Sequence, residues 1–362
     1  MTTSHDGSVP HESIKVEPCG AAAPRACEAA PPPPIYAAVD LGTHNCRLLI
    51  AEGLGDGEFR VIGSFSRAVR LGEGLATNGR LARNAIDRSI EALAICAERM
   101  REAGVKRARA IATEACRRAD NGHEFLRRVK DETGLSLESI SSGEEARLTL
   151  AGCRPLLDPS YEYGLLIDIG GGSTEVTWIG QAPDREPELI GIVSLPFGVV
   201  TFAERYGGDR IDPKTFDTMV DVVDAELEAF DDQYSISHQV ARAEVQLLGT
   251  SGTVTTLAAA HLGLRYYTRS RIDGLEIAFD DMDAVMAQMI DSDWTERSRN
   301  RCIGPDRADL VVGGCAILQD IRRRWPVGCL KVADRGIREG LLLAMAAADR
   351  EMAPGKGACP GE

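Results

Sequence analysis

The chain of 362 residues has no apolar run near the ~18 residues that a membrane span needs, and its first residues lack the basic-then-apolar layout of a secretory leader. A cytoplasmic protein with no membrane attachment is the expectation. Positive charge is also scarce: 41 Lys and Arg stand against 55 Asp and Glu, a formal net charge of -14. Such a surface repels a phosphate backbone, so general nucleic-acid binding is set aside, and any polyanion must meet a local basic site. The 10 cysteines form no C-x-x-C pair and have no histidine at metal-ligand spacing, which leaves reduced, packing cysteines as the reading. Neither Cys46 nor Cys116 has a His and carboxylate beside it in the local sequence, so no thiol nucleophile is expected.

What is present is an ordinary globular composition, 44% hydrophobic and 27% charged. At roughly 100–200 residues per domain the length predicts two domains. Residues 1–34, rich in Ala, Pro, Ser and Glu and ending in PPPP, show neither helical nor strand periodicity and are read as a disordered tail. From Ile35 the stretch IYAAVDLGTHNCRLLIAEG predicts two short strands around a turn, followed by a helix near Ala82–Ala103, a strand at RARAIAT and a short strand near Leu137–Ile140. The second half restarts with GLLIDIGGGSTEVTWIGQ, which echoes the first hairpin: Asp40 falls on Asp168 and Gly42 on Gly170, with apolar alternation on both sides. Duplicated α/β domains would bring the two Asp-Gly turns to opposite walls of one cleft. A third glycine turn, LLGTSGT, leaves an apolar strand at Leu248 and enters a helix near Thr253, the layout in which helix-start N–H groups meet an anion.

The chemistry follows from residue type. Gly170, Gly171 and Gly172 expose bare backbone N–H groups, and Ser173 and Thr174 add hydroxyls, which suits a phosphate cradle as well as it suits a tight turn. Asp168 and Glu175 flank that loop, and Mg²⁺ takes one or two carboxylates and leaves its other positions to water and phosphate oxygens. Glu144 and Glu145 open a helix after Ser-Ser-Gly; one of them is a candidate base toward water, and capping acids are the plainer alternative. Arg117 and Arg118 follow a strand end where a guanidinium fork would grip phosphate. Arg269, Arg271, Arg297, Arg299, Arg301 and the RRRW run at Arg322–Trp325 are either a track for a longer polyanion or solvated faces.

Taken together, VDLGTHNCRLL, IATEACRRADN, ISSGEEARLTLAG, LLIDIGGGSTEV, SLPFGVVTFAERY, LLGTSGT, PDRADLVVGG and VADRGIREGLL resemble the exopolyphosphatase and guanosine pentaphosphate phosphohydrolase (Ppx/GppA) family, in order, from Ile35 to about Ala348. The resemblance implies an α/β fold of two duplicated ribonuclease H-like domains facing a central cleft, as in the actin, Hsp70 and sugar-kinase ATPase superfamily. It implies a short, two-domain form: residues 35–143 plus 336–350 as the first domain and 144–335 as the second. Carried over by position, the base is Glu145 and the phosphate-contacting arginine is Arg117. The magnesium carboxylates are Asp168 and Glu175. The first phosphate loop is Asp40, Gly42, Thr43 and Asn45, the second Gly170 to Ser173, and the third Gly249, Ser251, Gly252 and Thr253. His44 departs from the family, which has Asn or a small polar residue there. The implied reaction is Mg²⁺-dependent release of orthophosphate from inorganic polyphosphate, or from the nucleotide pppGpp, with a homodimer as a family-level expectation. An ATP-dependent kinase and an idle binding module of the same superfamily are the more distant alternatives.

Overall fold

The computed structural model describes residues 32–55 and 58–352, so the expected disordered tail lies, but for its last three residues, outside the described part. Strands Ile35–Leu41 (β1), Asn45–Gly55 (β2) and Glu58–Ala68 (β3) form an antiparallel meander. Arg107–Ala112 (β4) and Leu137–Ser139 (β5) extend it in parallel, giving the order β3-β2-β1-β4-β5. Central β1 is covered on both faces, which is why its sequence is almost continuously apolar instead of alternating. Ala37, Val39 and Leu41 pack toward the helices Arg83–Glu102 and Gly122–Thr133, where Ile90, Leu93, Phe125 and Val129 complete one core.

The second sheet repeats this plan. Tyr163–Ile169 (β6), Thr174–Gly180 (β7) and Glu188–Leu195 (β8) are again an antiparallel meander. Val245–Thr250 (β9) runs parallel to β6, Glu276–Ala278 (β10) is an antiparallel edge, and Cys329–Val332 (β11) runs parallel to β9. The order β10-β11-β9-β6-β7-β8 reproduces the first sheet strand for strand, with β10 added at the edge. This is the duplicated α/β plan that the hairpin echo predicts, in the ribonuclease H-like form that the resemblance implies.

The helix Ile337–Met352 leaves the second sheet after β11 and returns to the first, seating Leu341, Leu342 and Met345 against Tyr36, Ala38, Leu49 and Leu148. Leu148 belongs to the helix Ser142–Cys153, which crosses it in backbone contact. A Cβ at Gly152 or at Gly340 would stand 1.9 Å from the carbonyl oxygens of Gly336 and Leu148, so only glycine permits that approach. The crossing matters for the site because both helices begin at the cleft. Seven described cysteines are free thiols, and burial pushes Cys116 up to about 12, in keeping with packing rather than nucleophilic use.

Candidate active site

The hairpins β1–β2 and β6–β7 present their turns to one cavity of about 860 Å³. Both turns are closed by the same hydrogen bond: Gly42 N–H donates to Asn45 O at 2.9 Å, and Gly170 N–H donates to Ser173 O at 3.0 Å. Each strand ends with its carboxylate in the same place, Asp40 and Asp168 one residue before the end, on the same side of the pleat. The turns also touch, since a Cβ at Gly172 would lie 2.5 Å from Thr43 Oγ1 and one at Gly171 would lie 3.2 Å from the His44 amide. The bare glycines therefore allow the two walls to meet as well as exposing amides. Val199 and Val200 donate to the carbonyls of Gly170 and Gly171, which pins the second loop; the amides of Gly171 and Gly172 have no backbone acceptor among the described residues.

At the end of β9 the chain turns through Ser251, whose φ of 79° is a left-handed conformation that non-glycine residues adopt at a cost. Ser251 and Gly252, which open the helix Ser251–His261, line the cavity. Two residues of the expected third loop do not line this cavity. Gly249 is a packing glycine, where a Cβ would crowd Val254 and Leu330 at 3.0–3.1 Å, and Thr253 turns toward Gly314 and lines an adjoining pocket of about 50 Å³ that shares Asn45, Arg47, Gly170, Ser251 and Gly252 with the cavity.

The acidic pair that the sequence left open is divided by the helix start. The Ser141 hydroxyl accepts from the Glu144 amide at 3.2 Å, and the Glu144 carboxylate turns back to Arg109. Glu145, one position on, lines the cavity with only 13% of its side chain exposed. Arg117 is not on the cavity wall. Its guanidinium donates to Glu145 Oε2 at 2.8 Å, to Ile140 O at 2.8 Å and to Glu114 at 2.9 Å, which commits it to holding Glu145. Asp40, Gly42, Thr43, Asn45, Asp168, Gly170, Gly171, Gly172, Ser173 and Glu175 all line the same cavity as Glu145.

Four carboxylates thus share a poorly solvated space. Burial is the main cause that raises each, and three are raised further by another: Asp168 to about 6 with Asp40 nearby, Glu175 to about 7 with Asp168 nearby, and Glu145 with Glu175 nearby. Glu145 is pushed well above the usual carboxylate range by burial and by Glu175, against the opposing pull of Arg117. Asp40 is also raised by burial, but Arg47 and Arg338 oppose the rise. Glu175 accepts a hydrogen bond from Ser194 Oγ at 2.8 Å. A set of oxygen donors with excess negative charge fits a hard cation such as Mg²⁺. Among the described residues, no group of three or more His, Cys, Asp and Glu is placed to bind an ion on protein ligands alone. A cation here would complete its shell with water or phosphate oxygens.

Against the acidic surface, six arginines line the cavity: Arg47, Arg269, Arg301, Arg307, Arg335 and Arg338. Arg269 and Arg335 are paired with Glu339 and Asp273, whereas the other four have no carboxylate partner among the described residues. Only Arg269 and Arg301 of the sequence's arginine clusters are on this wall. Arg297 is buried and donates to the carbonyls of Ala308, Met289, Ser292, Gly208 and Asp209, which makes it an internal brace. The Arg322–Arg324 run pairs with Asp283, Asp224 and Asp231, away from the cavity lining. Arg47, Arg307, Arg335 and Arg338 were missed because each is a single arginine in an otherwise apolar or mixed stretch. His44 is buried with neither ring nitrogen partnered, and burial together with Arg70 and Arg307 lowers it to about 4.

Two sheets of one plan, meeting at glycine turns above a shared set of carboxylates and arginines, define the class: a two-lobed α/β protein with a charged cavity between its hairpin turns. The Ppx/GppA phosphatase family model matches residues 50–348, and the chain belongs to that family. It is 30% identical over 323 residues to exopolyphosphatase 2 of Mycobacterium tuberculosis, covering 86% of this chain and 98% of that protein. It is 29% identical over 316 residues to guanosine-5'-triphosphate,3'-diphosphate pyrophosphatase of Photobacterium profundum, covering 86% of this chain but 59% of that protein. Among solved structures, a Ppx/GppA enzyme of Aquifex aeolicus aligns with a TM-score of 0.70 at 30% identity, covering 86% of this chain and all of that one. Among the described residues, no helix is long and apolar enough to cross a membrane.

Proposed function

We propose that this chain, a phosphoanhydride hydrolase by family, removes the terminal phosphate of inorganic polyphosphate in the cytoplasm, with Glu145 as the base toward water. The observation that carries this reading is the position of Glu145: it enters the cavity between the two hairpin turns and is held from behind by Arg117. The amides of Gly171 and Gly172 and the hydroxyl of Ser173 hold the terminal phosphoryl group, Thr43 and Asn45 close over it from the other wall, and Ser251 and Gly252 take the next unit. Asp168 and Glu175 would hold Mg²⁺, which when bound offsets charge on the phosphoryl oxygens. Water attacks the terminal phosphorus in line with the bridging oxygen, Glu145 accepts the water proton, the bridging P–O bond breaks, and orthophosphate and a chain one unit shorter leave. Arg117 acts through Glu145 as a positioning residue. Arg47, Arg301, Arg307 and Arg338, which have no carboxylate partner among the described residues, grip the remaining anion, and that grip weakens as salt rises.

The second reading is the same chemistry on the 5'-terminal phosphate of pppGpp, supported by the pyrophosphatase relative, and it shares base, cradle and cation site. Phosphate release with Mg²⁺ from long-chain polyphosphate and from pppGpp, in wild type and Glu145→Ala, decides between them. A higher kcat/KM on polyphosphate that Glu145→Ala abolishes is the expected result. A higher value on pppGpp moves the name to the second reading, and no release from either overturns both.

A further inference from the structure

Arg70 does not line the cavity, but its backbone and side chain join groups that do. It stands in the stretch that leaves β3, with a φ of 48°, a left-handed conformation that costs a non-glycine residue free energy and marks a constrained position. The backbone there is fastened to the first hairpin turn. The amides of Val69 and Arg70 donate to His44 O at 2.8 and 2.9 Å, and that of Gly72 donates to Thr43 O at 3.0 Å. The Gly74 amide then donates to Glu204 Oε1 at 2.7 Å. Glu204 lies on the helix Val199–Tyr206, whose first two amides hold the carbonyls of Gly170 and Gly171.

The side chain of Arg70 reaches the other lobe. Nη1 donates to Asp309 Oδ2 at 2.9 Å, Nη2 donates to Asp309 Oδ1 at 3.0 Å, and Nη2 also donates to Asp306 O at 3.2 Å. Such a two-pronged pair fixes direction as well as distance. The residues it holds flank Arg307, whose guanidinium lines the cavity and donates to Thr256 Oγ1 at 3.2 Å. Arg297 donates to the intervening carbonyl of Ala308 at 2.7 Å from within the second lobe. One arginine from each lobe thus holds the short segment that carries Arg307. Fixing the base of a long side chain lowers the conformational entropy it loses when it takes an anion.

We infer that Arg70 is a positioning residue for Arg307: by clasping Asp306 and Asp309 it sets Arg307 in register with the first hairpin turn, so that one anion meets both. The inference deepens the proposed function and rests on the cavity as a polyanion site, but it does not require turnover.

Calorimetric binding of inorganic tripolyphosphate to the full chain in Mg²⁺-free buffer, with hydrolysis of polyphosphate measured in parallel, tests it. Arg307→Gln is expected to weaken binding about tenfold, as for a lost charge-assisted hydrogen bond. Arg70→Met is expected to weaken it about fivefold and to raise KM more than it lowers kcat, although Arg70 lies outside the cavity. In the Arg307→Gln background, Arg70→Met should cost less than about twofold more, because the group it positions is already gone. Asp309→Asn, alone and with Arg307→Gln, carries the same comparison if Arg70→Met does not fold. Losses that multiply independently, or a fall in kcat at unchanged affinity, make Arg70 a merely structural contact and overturn the inference. Equal binding by wild type and Arg307→Gln overturns it too, without touching the proposed hydrolysis. Absence of hydrolysis with the double-variant result intact counts against the proposed reaction and leaves the clasp standing.

Discussion

The two hairpins β1–β2 and β6–β7 share the length and burial pattern of their first strands and the closing bond of their turns, yet they differ at the residue facing each carboxylate. Asp40 pairs with Arg47 across the first hairpin, while Asp168 pairs with Glu175 across the second. The loops differ as well: Gly-Thr-His-Asn on one side, Gly-Gly-Gly-Ser on the other. One backbone plan has therefore been given opposite electrostatics. In the proposed reaction the arginine opposite the acid would make a wall that attracts phosphate and the second acid a wall that attracts a cation. A terminal phosphoryl group carrying Mg²⁺ would use both walls, which neither copy provides alone.

The largest expected effect comes from the carboxylate that belongs to neither hairpin. Glu145→Gln should lower kcat by about 10³-fold, within the range of a lost general base, with little change in KM. Glu175→Gln should cost about 10²-fold in kcat and raise the Mg²⁺ concentration for half-activity. Its second signature is in stability. Folding raises Glu175 from 4.5 to about 7, so its contribution is present below pH 4.5 and is lost as pH rises toward 7. In Mg²⁺-free buffer at pH 8, Glu175→Gln should be more stable than wild type by on the order of 2 kcal/mol in urea unfolding, and the gap should close near pH 4.5. Added Mg²⁺ should raise the wild-type Tm more than that of the variant.

Arg117→Met removes the charge that opposes the rise in Glu145, so the acid limb of the pH–rate profile should move to higher pH, at about tenfold in rate per unit on that limb. A merely structural arginine would lower activity without moving the limb. Arg47→Gln should raise KM for polyphosphate about tenfold, as expected for a charge-assisted hydrogen bond, and should flatten the salt dependence. If Arg47→Gln acts on kcat and Glu175→Gln on KM, the division of labour between the walls is wrong. The smallest effect belongs to His44→Asn, which should change kcat/KM by less than about threefold because a neutral imidazole offers little that a neutral amide lacks. Its mark is again in stability: folding lowers His44 from 6.5 to about 4, so its contribution is complete above pH 6.5 and is lost as pH falls toward 4. Unfolding at pH 7.5 and pH 5 should show a larger drop for wild type than for His44→Asn.

Much of this was legible in the sequence for a local reason. A strand that ends in Asp-x-Gly must turn, and the same spacing twice in one chain predicts the same hairpin twice, as β1–β2 and β6–β7 are. The helix predicted near Ala82–Ala103 is observed at Arg83–Glu102, and the strand at RARAIAT at Arg107–Ala112, because both carry their periodicity within a few residues. The turn residues that line the cavity lie within the same short patterns. The pairing of Arg117 with Glu145 was not legible because the two are 28 positions apart in sequence. The same holds for the arginine clusters whose acids are distant, as with Arg324 and Asp224.

The sequence by itself determined the duplication, the glycine turns, the acidic pair and the family resemblance, since all of these are written in short-range pattern. Only the tertiary structure decided that Glu145 and not Glu144 faces the cleft, that Arg117 holds Glu145, and that four arginines without a carboxylate partner among the described residues line a cavity in an acidic chain. Those outcomes depend on which distant groups share a desolvated space. In such a space, charge must be offset by whatever the fold brings near, and no local pattern records that.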